Sequence, residues 1–130
     1  MTRIRTRLTG QDTARRGLAR HTARIRQALA AEVGDVAEAI RRDARAHLDN
    51  AGIRPVSRTG RLARSLRIQP SPGSLMARIT TPPDYGTFLE FGTRRMPAYP
   101  WLGPAVARHA TAFRARVIRL LRQLHGSPRP

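Results

Sequence analysis

Between Asp12 and Asn50 the apolar stripe falls at Leu18, Ile25, Leu29, Val33, Val36, Ile40, Ala44 and Leu48, at intervals of 7, 4, 4, 3, 4, 4 and 4. Steps of three and four stay on one face at 3.6 residues per turn, so the spacing predicts one amphipathic helix. Asp12 suits its N-cap, and Asn50-Ala51-Gly52 followed by Pro55 suits its end. At 1.5 Å per residue such a helix runs roughly 55 Å, whereas a compact domain of this size is about 36 Å across. The stripe outruns what its own domain can cover. Either the helix breaks, at Gly17 or Gly34, or part of it packs on another subunit; the second is expected.

Downstream the period changes. Residues 57–66, SRTGRLARSL, read as a short helix capped by Ser57 or Thr59. Leu66-Arg67-Ile68-Gln69 then alternates apolar and polar, and so does the stretch from Leu75 to Thr80. Pro70-Ser71-Pro72-Gly73-Ser74 lies between them, which predicts a β-hairpin. Thr81-Pro82-Pro83-Asp84 closes it, since proline cannot donate to a ladder. From Pro104, suited to a first helical turn, to Leu124 a last helix is expected. Val106, Ala110, Phe113, Val117, Leu120, Leu121 and Leu124 share its face, with Arg108, Arg114, Arg116, Arg119 and Arg122 mostly off it. The expected fold class is α+β: long N-terminal helix, short helix, β-hairpin, Gly/Pro-rich aromatic loop, C-terminal helix. One domain over residues 12–124 is flanked by a basic arm, 1–11, and a tail, 125–130.

Composition sharpens this picture in two ways. Of the apolar 40% of the chain, 19 residues are Ala, so few bulky side chains remain to fill an interior. A chain this size buries only about two-thirds of its unfolded surface, and help from neighbouring subunits is expected. The net charge is +17, carried wholly by 25 Arg with no Lys. Residues 1–31 hold 8 Arg against Asp12, residues 32–49 hold 3 Arg against 5 acids, and residues 50–130 hold 14 Arg against Asp84 and Glu90. Such a field favours nucleic acid, acidic protein surfaces or anionic lipid. With no Cys there is no disulfide framework, thiolate metal site or Cys nucleophile. No signal-like or membrane-spanning run is present, so synthesis in the cytoplasm is expected.

Catalytic patterns are missing. A P-loop needs a Lys, and neither HExxH nor GxSxG occurs. His21 and His47 on the first helix, and His109 and His125 on the last, show no metal-ligand spacing. Glu90 stands without a second acid, His or nucleophile nearby. A structural part fits it better: paired with Arg61, Arg94 or Arg95, or accepting N–H bonds in a turn at Gly92. No enzyme activity, metal, cofactor or small-molecule substrate is expected.

Five of the six aromatics, Tyr85, Phe88, Phe91, Tyr99 and Trp101, crowd into residues 85–105, YGTFLEFGTRRMPAYPWLGPA. Gly92 permits a backbone turn closed to other residues, and Pro97, Pro100 and Pro104 stiffen the exit. Phe88, Phe91, Tyr99 and Trp101 are expected to anchor this clasp, mainly as core, with its exposed edge meeting a neighbouring subunit.

Read in order, the motifs are Thr59-Gly60-Arg61-Leu62 with Ser65, a hairpin, Tyr85, then Glu90-Phe91-Gly92-Thr93. Met96-Pro97-Ala98, Pro100-Trp101-Leu102 and Pro104-Ala105 follow. The series, over roughly residues 55–124, resembles the "gene product ten" neck and tail-component family of long-tailed phages, prophages and gene-transfer particles. It departs at Trp101, where the family often has Phe, and at Gly103, where a longer residue is usual. The resemblance implies a non-enzymatic virion protein at the head–tail junction, present in the host cytoplasm before assembly. It implies a homomeric ring, sixfold, that joins or completes the tail as a neck, tail-completion or terminator-like component around the DNA path. Implied partners are other copies, stopper or adaptor and tail-tube proteins, and non-specific DNA in the lumen, with no membrane. The motif and interface positions are then Thr59, Gly60, Leu62, Ser65, Tyr85, Glu90, Phe91, Gly92, Thr93, Met96, Pro97, Pro100, Trp101 and Pro104. Arg3, Arg5, Arg7, Arg94 and Arg95 are candidate contacts to DNA or acidic partners. The alternative is a sequence-independent nucleic-acid-binding protein, although no zinc finger, RRM signature or helix-turn-helix is legible.

Overall fold

The computed structural model describes residues 10–49, 60–81 and 85–126. Its elements are α1 (Gln11–Asp49), α2 (Arg61–Ser65), β1 (Arg67–Ser71), β2 (Met76–Thr80), α3 (Tyr85–Phe91) and α4 (Gly103–His125). A 3-10 turn over Pro72–Ser74 joins the strands. The α+β class and the order of long helix, short helix, hairpin and final helix are those read from the sequence. The basic arm through residue 9, Arg3, Arg5, Arg7, Ser57, Thr59, the stop signals Asn50 to Pro55, Pro82 to Asp84 and residues 127–130 lie outside the described residues.

α1 runs through Gly17 and Gly34 without a break. The carbonyl of Gly10 accepts the first helical bond, from Ala14 N–H at 2.9 Å. Gly10, with φ 111°, is therefore the N-cap in place of Asp12. Asp12 sits inside the first turn, where a carboxylate opposes the positive end of the helix dipole. Its carbonyl also accepts from Arg16 Nε at 3.1 Å.

α4 packs antiparallel along α1. Three pairs set the alignment: Asp43 with Arg108 and His109, Glu32 with Arg116, and the rings of His21 and His125. At 39 residues α1 is the longer helix, and the described part of α4 ends opposite His21. Residues 11–20 of α1 are all exposed, and the first buried residue of the helix is Val36.

The core gathers around the last turns of α1. Ala44 and Leu48 meet Leu62, Ala63, Leu66, Leu89, Trp101 and Ala105, with Ile40, Ile79, Met96, Tyr99 and Leu102 packed around them. Among the described residues, four of the ten buried hydrophobic ones are Ala: Ala37, Ala44, Ala63 and Ala105. The interior is as thin as the composition suggests. Small residues let the helices approach closely but bury little apolar area each.

The hairpin pairs Ile68 with Ile79 and Pro70 with Ala77, so β1 reaches two residues past the predicted Gln69. With two strands, both are edges, and a missing proline N–H can face outward. α2 begins after Gly60, which holds a left-handed conformation and offers no side-chain cap. Gly60 itself stands at the N-cap position. Ser65 Oγ donates to the Leu62 carbonyl and lies 2.7 Å from Thr81 Oγ1, tying α2 to the end of β2.

The face of α4 is the expected one at Phe113, Val117, Leu120, Leu121 and Leu124, all half-buried, and differs only over its first turns. Ala105 is fully buried and His109 half-buried, whereas Val106 is 43% exposed and Ala110 is exposed. The start of the helix is anchored from α3, and that anchor rotates Ala105, the small residue, into the closest approach.

Candidate functional site

The aromatic segment is a helix, a turn and a strut. α3 takes up Tyr85–Phe91, where a loop was expected. Its Gly86 and Leu89 are buried, and Tyr85, Phe88 and Phe91 recur every third residue on another face. Those three are exposed by 43%, 51% and 77%. The expectation that Phe88 and Phe91 are core anchors is thereby overturned. Trp101 alone is buried, and Tyr99 is half-buried. The reason is helical geometry: Gly86 and Leu89 claim the inward face, and the Trp101 ring fills the space beside Gly86. A Cβ on Gly86 would stand 3.4 Å from Trp101 Cζ2 and 2.9 Å from Thr81 Cγ2. Trp101 Nε1–H donates to the Gly86 carbonyl at 3.0 Å.

Gly92 ends α3. Its φ is 75°, and its N–H bonds the Phe88 carbonyl at 2.8 Å. The chain then folds on itself: Thr93 N–H donates to Met96 O at 2.8 Å and Met96 N–H to Thr93 O at 3.3 Å. Arg94 and Arg95 occupy the tip. Tyr99 N–H returns to Leu89 O at 2.7 Å, fixing the strut that carries Pro100 and Trp101 to α4.

Glu90 completes the unit. Its carboxylate accepts from the backbone N–H groups of Trp101 at 2.8 Å, Leu102 at 2.9 Å and Gly103 at 2.8 Å. These are donors at the start of α4, which Leu102 does not cap with its side chain. Pro104 has no N–H to satisfy. Glu90 thus binds backbone N–H groups, at the next helix rather than in the Gly92 turn and with no Arg partner among the described residues. Its negative charge also faces the positive end of the α4 dipole. Glu90→Gln keeps the shape, removes the charge and turns an amide N–H toward donors. We expect a loss of about 1–3 kcal/mol, read as a lower urea midpoint, with Glu90→Ala lower still. Equal midpoints for all three proteins would show that the cap does not stabilise the fold.

Beside this unit lies an open groove of about 580 Å³, walled by Ile79 and Thr81 of the hairpin end, Phe91 of α3, and Trp101, Val106 and Ala107. Its one carboxylate, Glu90, is spent on the α4 backbone, so the lining is apolar apart from threonine hydroxyls.

A second, polar cavity of about 250 Å³ sits between α1 and α4, lined by Asp43, Ala46, His47, Tyr99 and Arg108. His109 Nε2 lies 2.8 Å from Asp43 Oδ2 and, facing a carboxylate, must carry the proton. That hydrogen bond, joined by the Arg108 charge, holds the Asp43 carboxyl below the usual carboxylate range against the opposing effect of burial. A lowered folded-state value means the contribution is complete above the ordinary carboxylate range. It is lost as pH falls through the folded value. Among the described residues no three His, Cys, Asp or Glu side chains gather to hold a metal ion, and no helix is long and apolar enough to cross a membrane.

Of the positions singled out in the sequence, Gly60, Leu62 and Ser65 support the hairpin end. Tyr85, Glu90, Phe91, Gly92, Thr93, Met96, Pro97, Pro100, Trp101 and Pro104 fall in the α3–α4 unit, with Arg94 and Arg95 at its tip. The His21–His125 ring contact, 6.0 Å between centroids at 83°, and the Asp43–His109 bond had no signal in local spacing. Both join residues more than sixty positions apart.

Among known proteins, a family model described as "Bacteriophage HK97-gp10, putative tail-component" matches residues 13–92. No curated protein matches the chain, and no solved structure does.

Proposed function

Because this chain belongs to the HK97-gp10-like family of phage tail components, we propose that it is a structural subunit of the virion that works as a homomeric ring, sixfold, at the head–tail junction. There it joins or completes the tail around the DNA path, in contact with stopper or adaptor and tail-tube proteins. Its role is architectural, without catalysis.

The observation that carries the ring is the exposed start of α1. Leu18 is 68% exposed, Ile25 and Leu29 are only half-covered, and these residues continue the stripe that is buried at Ala44 and Leu48. No described element of the chain covers Leu18, and we assign its cover to another copy. The exposed start of α1 and the surface that receives it on the next copy are different surfaces. Contact between unlike surfaces propagates head to tail and closes as a ring when the rotation allows. Arg16, Arg20 and Arg24 are exposed at four-residue spacing on α1 and supply phosphate contacts along a DNA path. Such contacts are independent of sequence and weaken with salt.

The test is Leu18→Asp together with a reconstruction of the particle. We expect the variant to melt as the parent does, because the residue is exposed, yet to fail to join particles. In wild-type particles, density for this chain should form a ring at the junction. Absence of the chain from purified virions, or normal incorporation of Leu18→Asp, would overturn the reading.

A further inference from the structure

The groove and the tip beside it form a surface with a chemical preference of their own. Phe91 lines the groove and is 77% exposed. One helical turn earlier, Phe88 is 51% exposed. Three and four residues after Phe91, Arg94 and Arg95 stand at the tip of the Thr93–Met96 turn, both exposed. Their guanidinium groups make no hydrogen bond or ion pair among the described residues. Aromatic and Arg side chains beside an apolar cleft are the composition that dominates protein interfaces. A cleft near 580 Å³ lies within the roughly 300–1,000 Å³ of built binding sites.

The chain's own acids decide what can cover this surface. Of the seven described, Glu32 pairs with Arg116, Glu38 with Arg41, Asp43 with Arg108 and His109, and Asp49 with Arg45. Glu90 is spent on the start of α4. Asp12 and Asp35 alone make no side-chain hydrogen bond or ion pair among the described residues. A second copy would bring +17 and almost no free carboxylate to Arg94 and Arg95. Duplex DNA would supply charge, but the apolar groups it presents are shallow thymine methyls at the base edges, which cannot reach into the groove.

We propose that the groove and the Arg94–Arg95 tip are the docking site for an acidic segment of a different protein, one that seats an aliphatic anchor beside Phe91 and pairs carboxylates with the two guanidiniums. Planar guanidinium matches carboxylate in a two-bond fork, while the anchor removes apolar surface from water. The site extends the structural-subunit reading by naming one partner surface and its chemistry. The self-contacts of the ring lie elsewhere, on the α1 stripe.

The test uses the full chain and a fluorescein-labelled synthetic peptide of about 12 residues, two central leucines flanked by aspartates and glutamates. Binding is followed by anisotropy between about 0.05 and 0.3 M salt. We expect saturable binding that weakens with salt. It should fall by at least about tenfold in R94S/R95S and in Phe91→Ser, and equally for a peptide with serines in place of the leucines. Far-UV circular dichroism should be unchanged in these surface variants. The proposal is overturned by no binding of the leucine peptide, by equal binding of the serine peptide, or by full binding to R94S/R95S. It is also overturned if duplex DNA binds the same surface more tightly and loses affinity in Phe91→Ser. Rings that form without peptide binding would remove only this site; peptide binding without rings would remove only the ring.

Discussion

Gly92→Val is expected to leave no cooperatively folded protein. Gly92 holds φ 75°, a region that costs a residue with a Cβ about 1–2 kcal/mol and a β-branched one more. Sterics add to this. A Cβ there would stand 2.7 Å from Ala98 N, 2.9 Å from Met96 O and 3.1 Å from Ala98 Cα. All three are backbone atoms, which cannot swing aside as a side chain does. Making room pushes the strut off α3, which breaks the Thr93–Met96 pair and the Tyr99 N–H bond to Leu89 and draws Trp101 away from Gly86. Together these exceed the roughly 4–5 kcal/mol that marks an exceptional substitution. A thin core has little above the usual 5–15 kcal/mol to lose. Thermal and urea scans should show no sharp transition, and particles made with the variant should lack the chain. A variant that melts like the parent and still assembles would refute the account of the α3–α4 unit.

Trp101→Ala is the second large effect. The side chain is 3% exposed and touches the elements that make the core. Its ring nitrogen also satisfies the carbonyl of Gly86. Large-to-small truncation at such a site costs about 3–5 kcal/mol, which for a chain this size lowers the melting temperature by about 10–20 °C. Trp101 is the sole tryptophan, so native emission reports it directly and should be blue-shifted until the fold melts. An unchanged melting temperature would place the ring at the surface. Trp101→Phe should recover much of the loss, because it restores most of the volume while forfeiting the hydrogen bond and part of the ring.

What could be read in advance followed from periodicity and from turn residues. The 3.6-residue stripe from Leu18 to Leu48 was long enough to show α1, and two alternating runs around Pro70–Ser74 showed the hairpin. The turn at Gly92 was visible because glycine alone takes up such a backbone conformation freely. Glu90 was legible only as far as being structural. The N–H donors it accepts from lie 11–13 residues on, across a strut whose path no local pattern reports. The aromatics misled for a related reason. Their number suggested core, but seven residues of helix put Tyr85, Phe88 and Phe91 on the outer face and left Trp101 to fill the interior alone. On α4 the expected stripe included Val106 and Ala110; the anchor at its first turn set a different rotation and buried Ala105.

By itself, then, the sequence determined the class of element along most of the chain, the excess length of α1, the strongly basic surface and the poverty of large aliphatic side chains. Each of these is a local or summed property, set by residue spacing and composition. Tertiary structure alone decided which face of α3 and α4 turns inward, that Glu90 closes the start of α4, and that Asp43 meets His109. It also decided which acids are already neutralised, and so leaves Arg94 and Arg95 without a partner among the described residues, beside an apolar groove. Those outcomes depend on contacts between residues far apart in the chain, and only the packed helices bring them within bonding distance.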